Sequence, residues 1–227
     1  MRSELHDPHL SERPGSAVTT LLLVRHAAVE NPRQVLYGRL PGFRLSHAGR
    51  QQAERLAALL ADRPVTAIYS SPLLRARQTA AAIAGHHLAA GRHVSALLHE
   101  VRSTWQGTPF TQFKPGFSTY DDRRAPDDES IEDIGARMLR FITRAPQRHP
   151  GGCIVAVSHG DPITILRVAL RGRPLTLDAI RGADYADLCS VTEIAGSPGE
   201  TRLRVVYLPA PDAATAPPTA ASAPADG

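Results

Sequence analysis

The chain has 227 residues, 42% of them apolar, with 26 basic against 22 acidic residues and a net charge of +4; that suits one well-packed domain or at most two small ones. Lys114 is the only lysine and Pro115 follows it, which excludes a Walker phosphate loop, and the scattered arginines speak against a nucleic-acid footprint. Two cysteines, Cys153 and Cys189, are too few for a disulfide framework or a four-cysteine zinc site and read as buried hydrophobes.

Residues 1–16 carry charge, Pro14 and Gly15 without periodicity, and are expected to be a disordered extension. Val18 to Val24 (VTTLLLV) reads as a buried strand. Ser46 can cap a helix running to about Ala61, with Ala53, Leu56, Ala57 and Leu60 on one face. Ala67 to Tyr69 predicts a short strand, Leu73 to Ala84 a helix, and His93 to Leu97 a weaker strand. Ser130 with Asp133 makes a capping-box pattern ahead of a helix bearing Ile131, Ile134, Met138, Phe141 and Ile142. Cys153 to Val157 (CIVAV) is a second buried strand, and Pro162 at a first helical position opens the next helix, with Asp161 as its expected N-cap. Ser190 to Ile194 and Leu203 to Tyr207 look like a terminal hairpin around GSPGE. From 209 to 227 the Ala- and Pro-rich composition predicts a disordered tail, leaving 17–208 as one domain. The strand–helix alternation predicts a three-layer α/β/α sandwich with a mainly parallel sheet.

No apolar stretch reaches the roughly 18 residues that span a bilayer, and Met1 to Arg13 lacks the apolar segment of a signal peptide. A cytoplasmic protein without membrane contact is the expectation.

Arg-His occurs three times, at Arg25-His26, Arg92-His93 and Arg148-His149, where chance alone gives about one. Only the first directly follows a buried strand; the other two are expected in solvated turns, and His6, His9, His47, His86 and His87 on the surface. In parallel α/β sheets, ligands bind beyond the carboxyl ends of the strands. Arg25 and His26 fall at that edge after VTTLLLV, and His159 with Gly160 falls there after CIVAVS. Ser70-Ser71-Pro72-Leu73-Leu74-Arg75 follows a third strand and brings Arg75 to the same rim. A helix N-terminus behind His159 would favour an anion.

The segments LVRHAAVEN, SSPLLRARQTA, LLHEV and VAVSHGDPI, in this order, resemble the histidine phosphatase superfamily in its phosphoglycerate-mutase-like branch. The resemblance covers essentially the whole predicted domain and implies a phosphoglycerate-mutase-like fold. It implies that His26 is a nucleophile forming a phosphohistidine, that Arg25, Arg75 and His159 bind the phosphoryl group, and that Glu100 is the proton donor. Asn31, Tyr37 and Gly38 match positions lining the substrate phosphate site, and Gly160 follows His159 at the same rim. Ala27 and Ala28 depart from the usual RHGE start, and Asn31 lies one residue closer to His26 than is common.

This set suits a phosphate monoester. Neutral imidazole approaches an anion without repulsion, its ordinary pKa being about 6.5. Arginines and a second histidine offset transition-state charge, and a carboxyl with a raised pKa protonates the leaving alcohol. The sequence predicts a phosphomonoesterase acting on a small phosphorylated metabolite, with no metal and no cofactor; a cofactor-dependent phosphoglycerate mutase or related phosphomutase is the alternative, and a non-catalytic phospho-ligand binder ranks third. A homodimer is compatible with the sequence. Ser103 stands where HExxH needs its second histidine, and His159 directly follows Ser158 where a serine-hydrolase triad needs a distant base, so both rival readings fail. Trp105, Phe110, Phe113, Phe117 and Tyr120 read either as packing for an irregular excursion or as a lid favouring organic phosphates, and Arg123-Arg124 either as a solvated pair or as a clamp for a second anion.

Overall fold

The computed structural model describes residues 18–197 and 200–207, with side chains described for 18–195. The expected tails, with His6 and His9, lie outside the described residues. One six-stranded sheet runs in the order β3-β2-β4-β1-β5-β6. Strands β1 (Thr19–Arg25), β2 (Val65–Ser70), β3 (Gly91–Val94) and β4 (Cys153–Ser158) are mutually parallel. β5 (Val191–Ser197) lies antiparallel to β1 and pairs with β6 (Glu200–Tyr207), which is the expected hairpin.

Two apolar layers sandwich this sheet because side chains alternate along each strand. Leu22, Val24, Val155 and Val157 face one side, against α1 (His47–Leu60) and α2 (Leu74–Gly85), which contribute Leu56, Ala57, Ala80 and Ile83. Leu21, Leu23, Ile154 and Ala156 face the other, against α3 (Ile131–Arg148), α4 (Gly160–Leu170) and α5 (Leu177–Arg181). Each such fully buried aliphatic contributes about 1.5–3 kcal/mol. In β2 the register shifts between Val65 and Ala67, so Val65 and Ile68 pack on the first side while Ala67 and Tyr69 pack on the second. A bulge inverts the two-residue alternation there.

The helix starts follow their caps. Ser46 Oγ accepts from Gly49 N, and Ser130 and Asp133 form the full reciprocal box. Elsewhere the expectations need correction. The third strand ends at Val94, where its pairing with Ser70 stops, and Ser95 then caps a 3-10 turn over Ala96–Leu98. Helix α4 begins at Gly160 with His159 as its N-cap, so Asp161 is its second residue and not the cap, and Pro162 is the third. Proline fits that place because the first four N–H groups of a helix have no intrahelical partner.

Both cysteines are buried as expected, and burial pushes the Cys189 thiol up to about 12. Among the other histidines, His47 and His86 are exposed, but His87 is buried, with no partner for its Nε2. His93 lies within β3 rather than in a turn, stacked on Tyr69, and half-buried His149 meets the Tyr69 hydroxyl at 3.0 Å. No helix among the described residues is long and apolar enough to cross a membrane.

Candidate active site

Strand register brings the two distant histidines together. Arg25 in β1 lies opposite Ser158 in the parallel neighbour β4, so the next residue of each strand is a histidine at the same sheet edge. The His26 amide donates to Ser158 O at 3.0 Å, and the two rings sit edge to face with centroids 5.1 Å apart. Next along the sheet, Ser71 N donates to Val157 O as β2 ends, and the chain turns into α2, whose second residue is Arg75. The 3-10 turn after β3 delivers Glu100. Four parallel strand ends thus feed one pocket.

His26 is 1% exposed and Arg75 and His159 are fully buried. The His26 ring has a defined tautomer. Its Nδ1 is 2.7 Å from Ala27 O, and since a carbonyl only accepts, Nδ1 carries the proton. The lone pair is therefore on Nε2, where Arg75 Nε donates at 3.2 Å. Burial, then the charges of Arg75 and Arg25, hold the His26 pKa well below its usual value, so the ring is neutral near pH 7.

Arg75 is locked on three sides. Its Nη2 donates to Gly38 O at 2.8 Å, its guanidinium lies 4.7 Å over the Tyr37 ring, and Nη2 stands 3.9 Å from Glu100 Oε2. Gly38 offers that carbonyl from a left-handed backbone at φ +41°, and a Cβ there would come within 3.0 Å of Gln106 Oε1. Arg25 donates through Nη1 to Ala186 O at 2.7 Å and lies 5.1 Å from the Tyr185 ring. His159 Nε2 pairs with Ser71 Oγ at 2.8 Å, while its Nδ1 faces Glu100 Oε2 at 3.7 Å. Two buried nitrogens of this group, Arg25 Nε and His159 Nδ1, have no hydrogen-bond partner. An unspent buried Arg25 N–H and an unpaired His159 ring nitrogen beside two guanidinium charges describe a cradle for an anion.

Glu100 brings the carboxyl of the group. Burial, reinforced by the charge of Asp161, outweighs the opposing pull of Arg75 and pushes its carboxyl up to about 7. The Glu100 carbonyl is held from behind by Arg39 Nε at 2.7 Å and Arg137 Nη2 at 3.4 Å. Glu129 bridges these two arginines, accepting from Arg39 Nη2 at 2.8 Å and from Arg137 Nε at 3.0 Å.

The structure therefore groups His26, Arg25, Arg75, Glu100 and His159, with Tyr37, Gly38 and Gly160 at their edge. Asn31 bonds within its own loop. Its amide closes a small ring with the Val35 backbone, donating to Val35 O at 2.9 Å and accepting from Val35 N at 3.2 Å. It shapes the loop that leads to Tyr37. The aromatic excursion packs on itself, with Phe113 and Phe117 stacked at 4.1 Å and Trp105 edge-on to Phe117 at 4.9 Å. Arg124 lies over the Trp105 ring.

Sequence reasoning missed two sets of supporting residues. One is the Arg39–Glu129–Arg137 bridge. The other is the link of Tyr120 and Tyr185 to Asp161, both hydroxyls donating to it at 2.6 Å. Tyr120 and Tyr185 lie 41 and 24 residues from Asp161, and no local spacing marks such partners.

A metal ion would find one donor atom each from His26, Glu100 and His159, all within 4.8 Å of one another. Arg75 already donates to the His26 lone pair, and two fixed guanidinium charges oppose a cation there. The charge balance suits a phosphate dianion.

Comparison with known proteins gives the family. The model of the histidine phosphatase superfamily (branch 1) matches residues 21–208. An uncharacterized protein of Mycobacterium tuberculosis is 39% identical over 199 residues, covering 83% of this chain and 95% of its own. A glucosyl-3-phosphoglycerate phosphatase of Mycolicibacterium vanbaalenii is 32% identical over 202 residues, covering 80% of this chain and 89% of its own. The solved structure of Bacillus stearothermophilus YhfR superimposes with a TM-score of 0.74 at 27% identity, over 83% of this chain and 96% of that one. The chain belongs to the histidine phosphatase superfamily, branch 1.

Proposed function

We propose that this protein is a metal-independent phosphomonoesterase that hydrolyses a small-metabolite phosphate through a phosphohistidine on His26. The observation that carries this reading is the neutral, tautomer-fixed imidazole whose Nε2 lone pair faces the Arg75 guanidinium, with Arg25 Nε and a His159 ring nitrogen left unpartnered in the same group. His26 Nε2 attacks phosphorus as the ester P–O bond breaks, and the Glu100 carboxyl gives its proton to the departing alcohol oxygen. Charge left on His26 is shared with Ala27 O through the Nδ1–H bond. Arg25, Arg75 and His159 hold the equatorial oxygens, each such preorganised donor being worth about 2.7–4 kcal/mol in related sites. In the second half, the Glu100 carboxylate takes a proton from water, the new P–O bond forms as the P–N bond breaks, and phosphate leaves with His26 neutral again.

A relative named as a phosphatase supports hydrolysis. Arg124, one of the Arg123-Arg124 pair that would clamp a second anion in a phosphoglycerate mutase, lies over Trp105, which favours hydrolysis over phosphoryl relocation. Nucleophile and acid are both in place, which weighs against a silent binder. The test is a screen of sugar phosphates, nucleotides, phosphoglycerates and cobalamin-precursor phosphates with EDTA present. Turnover lost in His26→Ala is expected; full activity in that variant, or a requirement for added metal, would overturn the proposal. Stimulation of phosphoglycerate interconversion by 2,3-bisphosphoglycerate would favour the mutase instead.

A further inference from the structure

Three side chains that take no part in these steps meet at the wall of the pocket. Asp161 accepts the Tyr120 hydroxyl on Oδ2 and the Tyr185 hydroxyl on Oδ1, each at 2.6 Å. Tyr120 closes the aromatic excursion, Asp161 lies in the first turn of α4, and Tyr185 precedes β5, so one carboxylate ties three separate stretches of chain. Burial and the Asp161 charge hold both phenols far above their usual pKa, so each keeps its proton and donates it. Each carboxylate oxygen spends one lone pair on a tyrosine and keeps another.

The clamp stands beside the reacting groups. Asp161 is two residues beyond His159, and the intervening Gly160 lies so close to Tyr185 that a Cβ would come within 2.3 Å of its hydroxyl. The Tyr185 ring in turn lies 5.1 Å from the Arg25 guanidinium. Asp161 is half-buried, not sealed. Its charge reaches both Glu100, which faces the leaving oxygen, and Tyr37, under Arg75. With the leaving oxygen at Glu100, as proposed above, the alcohol half of a substrate comes under the charge of this carboxylate.

The geometry points to Asp161 as the residue that selects the alcohol half of the substrate, accepting a hydrogen bond from a hydroxyl or ammonium group near the ester and opposing a carboxylate there. A negative charge held by two short hydrogen bonds in a partly desolvated wall repels a like charge and rewards a donor. The preferred class is the phosphate ester of a polyol or amino alcohol. This rests on the phosphatase reading above.

Glycerol 3-phosphate and 3-phosphoglycerate share a three-carbon skeleton and differ in a terminal hydroxymethyl against a carboxylate. The test compares kcat/KM for this pair in wild type and in Asp161→Asn, with phosphoethanolamine as the ammonium arm and p-nitrophenyl phosphate as a reference without either group. Wild type should favour glycerol 3-phosphate by about tenfold or more, and Asp161→Asn should bring the ratio to within about threefold of unity. Phosphoethanolamine should lose ground to p-nitrophenyl phosphate in the same variant. A wild-type ratio near one or favouring 3-phosphoglycerate overturns the inference with no variant needed, and so does a ratio that persists in Asp161→Asn. If wild type hydrolyses no ester, p-nitrophenyl phosphate included, the phosphatase reading itself falls and takes this inference with it.

Discussion

Glu129 never touches the pocket, yet replacing it with Gln should weaken both the fold and the reaction. Its carboxylate receives Arg39 Nη2 at 2.8 Å, the Arg102 amide at 3.0 Å, and Arg137 through Nε at 3.0 Å and Nη2 at 3.2 Å. The Glu129 side chain is 11% exposed, that of Arg39 23%. Breaking a fully buried pair costs about 3–5 kcal/mol. Partial exposure lowers that figure and Gln keeps one acceptor, which leaves about 3 kcal/mol. For a domain of this size that lowers Tm by roughly 6–12 °C. Both arginines also hold the Glu100 carbonyl, so Glu100 loses its backing and, given its proposed role as proton donor, kcat for an alkyl phosphate should fall about tenfold or more. Burial raises the Glu129 pKa, but Arg137 and Arg39 outweigh it and leave it depressed in the fold. Its contribution is therefore present above the unfolded carboxylate pKa of about 4.3 and fades as pH falls through the lower folded value. Thermal unfolding of both proteins at pH 7 and at lower pH measures this. A Tm change under 2 °C at pH 7, or a difference that grows on acidification, would refute the reasoning.

With the Glu100 proton held up to about pH 7, kcat/KM for an alkyl phosphate should decline as pH rises through 7, because the protonated form is the donor; a flat profile from pH 6 to 8 would contradict this. Glu100→Gln should cost an alkyl ester about 10²–10⁴-fold in kcat/KM but a p-nitrophenyl ester far less, since that leaving group departs without a proton; equal losses would remove Glu100 from the acid role. Gly160→Ala should expel the Tyr185 ring and cost about 1–3 kcal/mol, read by urea unfolding, because the added Cβ lands 2.3 Å from its hydroxyl; unchanged stability would mean the ring yields freely. Neither EDTA nor added Zn²⁺ should raise the rate, because Arg75 and Arg25 oppose a cation at the donor atoms of His26, His159 and Glu100; activation by Zn²⁺ would overturn the anion-cradle reading.

Much of the site was legible because strand ends are legible. Apolar runs before Arg25-His26 and before Ser158-His159 put both histidines at one sheet edge, where the observed register of β1 with β4 sets them side by side. The carboxylate roles were harder. Asp161 has the right neighbours for an N-cap, but the chain turns helical at Gly160, and tertiary partners, Tyr120 and Tyr185, claim its oxygens. Asn31 falls at a matching loop position, yet the shortened loop spends its amide on Val35. The bulge at Val65–Ala67 and the early end of β3 depend on pairing with neighbouring strands, which local patterning does not encode.

The most direct test is a rapid-quench experiment on Glu100→Gln with p-nitrophenyl phosphate. That ester can phosphorylate His26 without an acid, while the second step lacks its base, so the intermediate accumulates. A burst of about one equivalent of p-nitrophenolate is expected, with acid-labile phosphate on the peptide bearing His26 and no burst in His26→Ala. Linear product release without a burst, or phosphate on any residue other than His26, would contradict nucleophilic catalysis by this histidine.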